Sequence, residues 1–163
     1  NDIHGFPDAA LYPELADSDC GLIVMHAVQA QGIATEVYVP PDEIMERMFD
    51  FFDQRVGALQ AAGIDKARIV LDPGMGFFLG TNPQTSIEAL KRLPELGPRY
   101  GVPVLVSVSR KSFIRALAGV SAAEAGAATL AAEIFAVSRG ASMIRTHDPK
   151  ALSDGLKVLS ALG

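Results

Sequence analysis

The chain has little of what several functional classes require. Its one cysteine, Cys20, cannot form an internal disulfide among the 163 residues. With no signal-peptide pattern in the sequence, the expected compartment is the reducing cytoplasm. Cys20 itself is expected to serve as a small structural hydrophobe. Basic charge is scarce: 14 Lys and Arg stand against 19 Asp and Glu, a net charge of −5, which gives no support for a nucleic-acid surface. No run approaches the roughly 18 consecutive apolar residues of a membrane span, so neither nucleic acid nor bilayer is an expected partner. Low-complexity tracts are missing, and so are HExxH, paired CxxC and GxSxG, so zinc-dependent or serine-elbow hydrolysis is not indicated.

What is present is a compact-domain composition, 49% hydrophobic, with apolar runs that stop on polar clusters. Ile69-Val70-Leu71 ends on Asp72, Val104-Leu105-Val106 leads to Ser109-Arg110-Lys111-Ser112, and Met143-Ile144 ends on Arg145-Thr146-His147. Unalternating Val, Ile and Leu suit strands buried on both faces of a parallel sheet, and ligand-binding residues gather where such strands end. Strand-like pieces fall near residues 1–4, 21–26, 68–72, 103–108 and 142–147, each followed by helical spacing. Five βα units in a row predict a parallel α/β fold, either open or closed as a barrel. No GxGxxG follows the first strand, and clusters on several consecutive strand ends favour the barrel, whose loops share one mouth. An eight-stranded barrel takes about 250 residues, so five units correspond to its C-terminal portion with three units unaccounted for. Asn1-Asp2-Ile3 reads as the end of a strand, which points the same way.

The helices have readable signals. After Pro40-Pro41-Asp42, the residues Ile44, Met48, Phe51, Phe52, Val56 and Leu59 form one stripe, with Gly63 as its stop. Asn82 caps a helix with Pro83 in its first turn and Ile87, Leu90 and Leu93 on one face, limited by Pro94 and Gly97. Ser121 and Glu124 predict a capping box before a helix whose Ala127, Leu130, Ile134 and Val137 face the sheet. Leu152, Leu156 and Leu159 predict a last amphipathic helix.

Each polar cluster has a functional and a plain reading. Asp72 precedes Pro73-Gly74-Met75-Gly76, where glycines let backbone approach a ligand; Asp-Pro-Gly is also ordinary turn chemistry. Phe77 and Phe78 either cover a flat ligand or plug neighbouring loops, with one of them expected in the core. Arg110 and Lys111 stand at a helix start, where the macrodipole disfavours cations, and an anionic ligand beside Ser112 would remove that conflict; two solvated basic residues are the alternative. Arg145 and His147, alternating along a strand, would share a face and suit a phosphate. His26 is expected to be a satisfied structural histidine.

Together Asn1-Asp2-Ile3, Met25-His26, Asp72-Pro73-Gly74-Met75-Gly76-Phe77, Ser109-Arg110-Lys111-Ser112 and Arg145-Thr146-His147 resemble dihydropteroate synthases, in order and spacing. The resemblance implies a (β/α)₈ barrel of which residues 1–163 are strands four to eight with their helices. The implied activity joins 4-aminobenzoate to 6-hydroxymethyl-7,8-dihydropterin diphosphate in folate biosynthesis, releasing pyrophosphate. It implies Asn1, Asp72 and Lys111 as hydrogen-bonding pterin ligands, with Ile3, Met25 and Phe77 as apolar contacts. Arg145 and His147 would hold pyrophosphate, Ser112 with Phe77 and Phe78 would receive 4-aminobenzoate, and Asp72, Lys111, Arg145 and His147 would carry the catalysis. Mg²⁺ on the diphosphate is the implied cofactor, with no metal ligand in this chain, and a homodimer through the later helices is the implied assembly. The family's first three βα units, which bring further ligands, cannot be located, so the chain alone is expected to be inactive.

Phe78-Leu79 and Ser107 depart from the common pattern. With Gly5-Phe6-Pro7-Asp8 and Gly32-Ile33-Ala34-Thr35 they resemble the divergent Sul-type synthases that confer sulfonamide resistance. The competing readings are a pterin-binding methyltransferase barrel, which would have no pyrophosphate to hold, and a non-catalytic pterin-binding fragment.

Overall fold

The computed structural model describes residues 1–29 and 36–163, so Gly32-Ile33-Ala34-Thr35 lies outside the described residues. Helices and strands alternate in the order α1 (Tyr12–Asp17), β1 (Leu22–Met25), α2 (Ile44–Ala61), β2 (Ile69–Asp72), α3 (Pro83–Lys91), α4 (Leu96–Tyr100), β3 (Leu105–Val106), α5 (Ser112–Ala118), α6 (Gly126–Ser138), β4 (Met143–Ile144) and α7 (Pro149–Leu162). The parallel α/β expectation holds. Pairing is in two small sheets, β1 with β2 and β3 with β4, each parallel. Isolated parallel bridges join Asp2 to Val24 and Leu71 to Val104. All strands therefore point one way, and their carboxyl ends lie along a common edge.

The five regular strands expected from the sequence are not seen. Residues 1–4 contribute only the bridge at Asp2, and the pieces at 103–108 and 142–147 shrink to two residues each. Around β4 the amides of Ser142 and Met143 both bond to the Val104 carbonyl, at 2.8 and 3.2 Å. Two donors on one acceptor break the even spacing of a parallel ladder, so regular pairing begins only at Met143.

The stripe on α2 buries Ile44, Met48, Phe52, Val56 and Leu59 as expected, together with Met45, while Phe51 is half-buried. Gly63 adopts φ +86°, and the Ile64 amide reaches back to the Leu59 carbonyl at 3.1 Å, a left-handed helix stop. Asn82 caps α3 by accepting the Gln84 amide at 3.0 Å. That helix ends at Lys91; Leu93 is buried from a short 3₁₀ turn instead, the segment carrying Pro94.

Three helix expectations are corrected. The Ser121 amide and hydroxyl both reach Glu124 Oε2, at 3.1 and 2.6 Å, but the chain turns before α6 begins at Gly126, so this contact caps a turn. The inward face of α6 carries Ala125, Thr129, Glu133 and Ala136 rather than Ala127, Leu130, Ile134 and Val137. Short side chains let the helix approach the sheet. Leu130 and Ile134 fill the seam with α7, where a Cβ added to Gly155 would stand 3.2 Å from Ile134 Cδ1. Of the stripe on α7 only Leu152 is buried, and Leu159 is exposed. Cys20 is also exposed, its thiol 3.0 Å from the Ser18 hydroxyl rather than in the core.

Candidate active site at the strand ends

β2 delivers Asp72 to the carboxyl edge of its sheet, where it is 1% exposed. Its Oδ1 accepts the Gly74 amide at 2.9 Å, and Oδ2 has no hydrogen-bond partner among the described residues. Arg145 Nη1 lies 3.7 Å from that free oxygen, and Lys111 acts on the same carboxyl electrostatically. Burial pushes the Asp72 carboxyl above the ordinary aspartate range, against the pull of the Gly74 amide, Arg145 and Lys111. Burial also pushes the Lys111 amine down. A desolvated carboxyl with an open oxygen and two cations alongside is poised to accept donors from a ligand.

The Asp-Pro-Gly loop is built for close approach. Gly74 has φ +69°, and a Cβ there would collide with the His26 carbonyl oxygen. Gly76, at φ +65°, leaves room for Lys111, whose Cδ would lie 3.4 Å from an added Cβ. Lys111 Nζ sits 5.0 Å from the centroid of the Phe78 ring, within cation–π range. Phe77 meets that ring edge-on at 6.2 Å. Neither phenylalanine is in the core; Phe77 is exposed and Phe78 half-buried, because the loop is held by its backbone. The Val28 amide bonds to the Phe78 carbonyl at 3.0 Å, and the Gln29 side-chain amide donates to the Phe77 carbonyl.

His26 is structural, as expected. Its Nδ1 pairs with the Pro73 carbonyl at 3.2 Å, its ring meets Phe51 edge-on at 5.2 Å, and burial pushes it down to about 4, so it is neutral at pH 7. Met25 is in register with Asp72, which puts the two side chains on one face of the sheet. Asn1 and Ile3 are exposed and flank Asp2, whose carboxylate accepts the His4 and Phe6 amides at 2.8 and 3.1 Å.

The basic clusters divide. Asp72, Lys111 and Arg145 come together, whereas Arg110 and His147 line a neighbouring cavity of about 250 Å³ with Ser109, Thr129, Glu133 and Thr146. Arg110 holds a left-handed φ of +56°, its amide donating to Thr129 Oγ1 at 3.1 Å. His147 Nδ1 is 2.7 Å from the Ser109 hydroxyl. The expected common face for Arg145 and His147 does not form because β4 ends at Ile144, so strand alternation no longer governs residues 145–147. Ser112 opens α5 beside Gly76 and lines a smaller cavity with Ser86 and Asn82. Glu133 and Thr129 went unnoticed in the sequence. Their signal was two polar residues four apart within an Ala-rich helix, in step with Ala125 and Ala136. No group of three or more His, Cys, Asp or Glu that could hold a metal occurs among the described residues.

Residues 1–147 match a family described as pterin binding enzyme. The chain belongs to that family. It is 57% identical over 162 residues to the dihydropteroate synthase type-2 of Escherichia coli, covering 99% of the chain and 59% of that protein. A solved structure of Xanthomonas albilineans dihydropteroate synthase with 4-aminobenzoic acid superposes with TM-score 0.85 at 33% identity, covering 99% of this chain and 56% of that one. The Xanthomonas albilineans enzyme in complex with 7,8-dihydropteroate gives TM-score 0.85 at 32% identity, covering 99% and 59%. The chain thus spans about three-fifths of the length of the curated relatives it matches.

Proposed function

We propose that this chain is the later part of a dihydropteroate synthase, a partial (β/α)₈ barrel comprising strands four to eight. The observation that carries the reading is the buried Asp72 with its free Oδ2, beside Lys111 and Arg145 at the strand ends. The similarity to synthases solved with 4-aminobenzoic acid and with 7,8-dihydropteroate supports it. In this reading Asp72 accepts the donor edge of the pterin, with Lys111 and Asn1 as further polar ligands and Ile3, Met25 and Phe77 against its faces. Arg145, from beside Asp72, and His147, from the rim of the neighbouring cavity, hold the departing pyrophosphate between them, while Ser112, Phe77 and Phe78 receive 4-aminobenzoate.

Loss of pyrophosphate leaves a methylene cation conjugated to the dihydropterin, and the Asp72 carboxylate stabilises that developing charge in a site of low dielectric. The aminobenzoate nitrogen then attacks, so the protein needs no nucleophile of its own. Mg²⁺ carried on the diphosphate would offset the negative charge of the leaving group. The apolar groove between α3, α5 and α6, lined by Leu90, Phe113, Leu117 and Phe135, supports the homodimer reading. No described helix is long and apolar enough to cross a membrane.

The test is pyrophosphate release by the full-length protein. Lys111→Ala and Arg145→Ala are each expected to lower the condensation rate about 10²-fold or more, since each removes a charge at the reacting centre. Near-normal kinetics in both would overturn the assignment. We further propose that Phe78, held against Lys111, narrows the aminobenzoate end so that a sulfonamide fits worse than the smaller substrate. Phe78→Gly should then tighten sulfonamide inhibition; equal inhibition constants in wild type and variant sink the idea.

A further inference from the structure

Among the described residues, Glu133 is the one buried acid that the proposed chemistry leaves unused. It sits on the sheet-facing side of α6 among Ala125, Thr129 and Ala136, is 1% exposed, and its Oε1 has no partner among the described residues. A carboxyl at such a position is costly unless polar groups meet it. They do surround it: Thr146, His147 and Asp148 line the same 250 Å³ cavity. Burial pushes the carboxyl above the ordinary glutamate range, opposed by Thr146, reinforced by Asp148 and opposed again by His147. Thr146 is in turn tied onward. Its Oγ1 accepts the Asp148 amide at 3.1 Å, and Asp148 caps α7 by accepting the Ala151 amide at 2.9 Å.

β4 ends at Ile144, so sheet pairing does not set the geometry of residues 145–148 beyond the single bond from the Arg145 amide to the Val106 carbonyl, 2.9 Å. We propose that Glu133 is a positioning residue: through Thr146 and the His147 ring it holds the Arg145–His147 loop in the shape that grips an inorganic diphosphate. This rests on the synthase reading above. It also runs against simple electrostatics, because an acid beside an anion site should weaken binding by repulsion. Deleting a mere negative charge would tighten the site, whereas deleting a positioning group loosens it.

The experiment is calorimetric titration of the full-length protein with inorganic pyrophosphate, alongside the KM for 4-aminobenzoate. Glu133→Ala should weaken pyrophosphate binding about tenfold, the scale of one lost buried hydrogen bond, with the 4-aminobenzoate KM within about twofold of wild type. Glu133→Gln, which keeps an acceptor for the Thr146 hydroxyl, should recover most of the affinity. Thr146→Val should weaken binding alone and add little on top of Glu133→Ala, as members of one network do. Unchanged or tighter binding in Glu133→Ala overturns the inference, and so does an equal loss in the Ala and Gln variants accompanied by a raised 4-aminobenzoate KM. A wild-type protein that binds no pyrophosphate overturns the synthase reading itself, and the inference with it.

Discussion

The half of the molecule built on β1 and β2 and the half built on β3 and β4 bury their apolar residues very differently. α2 sinks Ile44, Met45, Met48, Phe52, Val56 and Leu59, and the strands beneath it are almost wholly enclosed. α7 sinks Leu152 alone, leaving Val158 and Leu162 60% and 81% exposed, and Met143 of β4 is 44% exposed. The candidate site straddles the two halves. Its carboxylate is anchored in the tight half, where packing fixes both position and desolvation. Its cations come from the open half, where a few bonds, Arg145 amide to Val106 and Lys111 amide to Val108, set their approach. The acid is thus held by packing, and the cations by a few backbone bonds.

That contrast can be broken by mutation. Phe52 is fully buried and meets Phe51 and Tyr100 edge-on at 5.3 and 5.8 Å. Phe52→Ala should cost about 4 kcal/mol in urea unfolding, the combined loss of transfer and of a cavity the rigid half cannot close. A cost below about 1 kcal/mol would mean that the first half is as loosely packed as the second.

The next effect is smaller and sharpens the comparison through pH. His26 belongs to the tight half and is pushed down to about 4 from an ordinary value of 6.5. The folded protein therefore holds His26 neutral while the unfolded chain protonates it. The stability this contributes is complete above pH 6.5 and is lost as pH falls from there to about 4, roughly 3 kcal/mol in all. Asp72 and Glu133, whose carboxyls are pushed up, contribute the opposite slope from about pH 4 upward, so the His26 ring is best followed directly by NMR. A ring that titrates near 6.5 would show the tight half to be wet.

The smallest effect is expected at the other extreme. Val158→Ser on α7 should change stability by no more than about 0.5 kcal/mol, because that side chain is already in water. A loss comparable to Phe52→Ala would show that the α7 face is covered in solution and that the contrast belongs only to the isolated chain.

Much of this was readable in the residues, for identifiable reasons. The α2 stripe, the Asn82 cap and the Gly63 stop rest on local chemistry: a repeat of three and four, an oxygen beside a free amide, a residue tolerant of positive φ. Asp72 was legible as the polar residue on which an apolar run stops, with turn chemistry of Asp-Pro-Gly as the alternative. The α6 face was misread because Leu and Ile outrank Ala on any hydrophobic scale, yet the close fit of helix to sheet favoured the small side chains and sent the large ones to α7. His147 was grouped with Arg145 by an alternation that ends where β4 ends, and Arg110 with Lys111 by their adjacency at a helix start.

The order of strands and helices, the loop glycines and the set of polar groups at the strand ends were settled by sequence, since each depends on neighbours a few residues away. Which of those groups meet was decided by tertiary structure. Lys111 goes to Asp72 while Arg110 goes to the Glu133 cavity, although the two are adjacent in the chain, because the left-handed backbone at Arg110 sends consecutive side chains apart. That turn is stabilised by Thr129, nineteen residues further on. No local pattern carries such a contact, because its energy exists only once α6 has packed against the sheet.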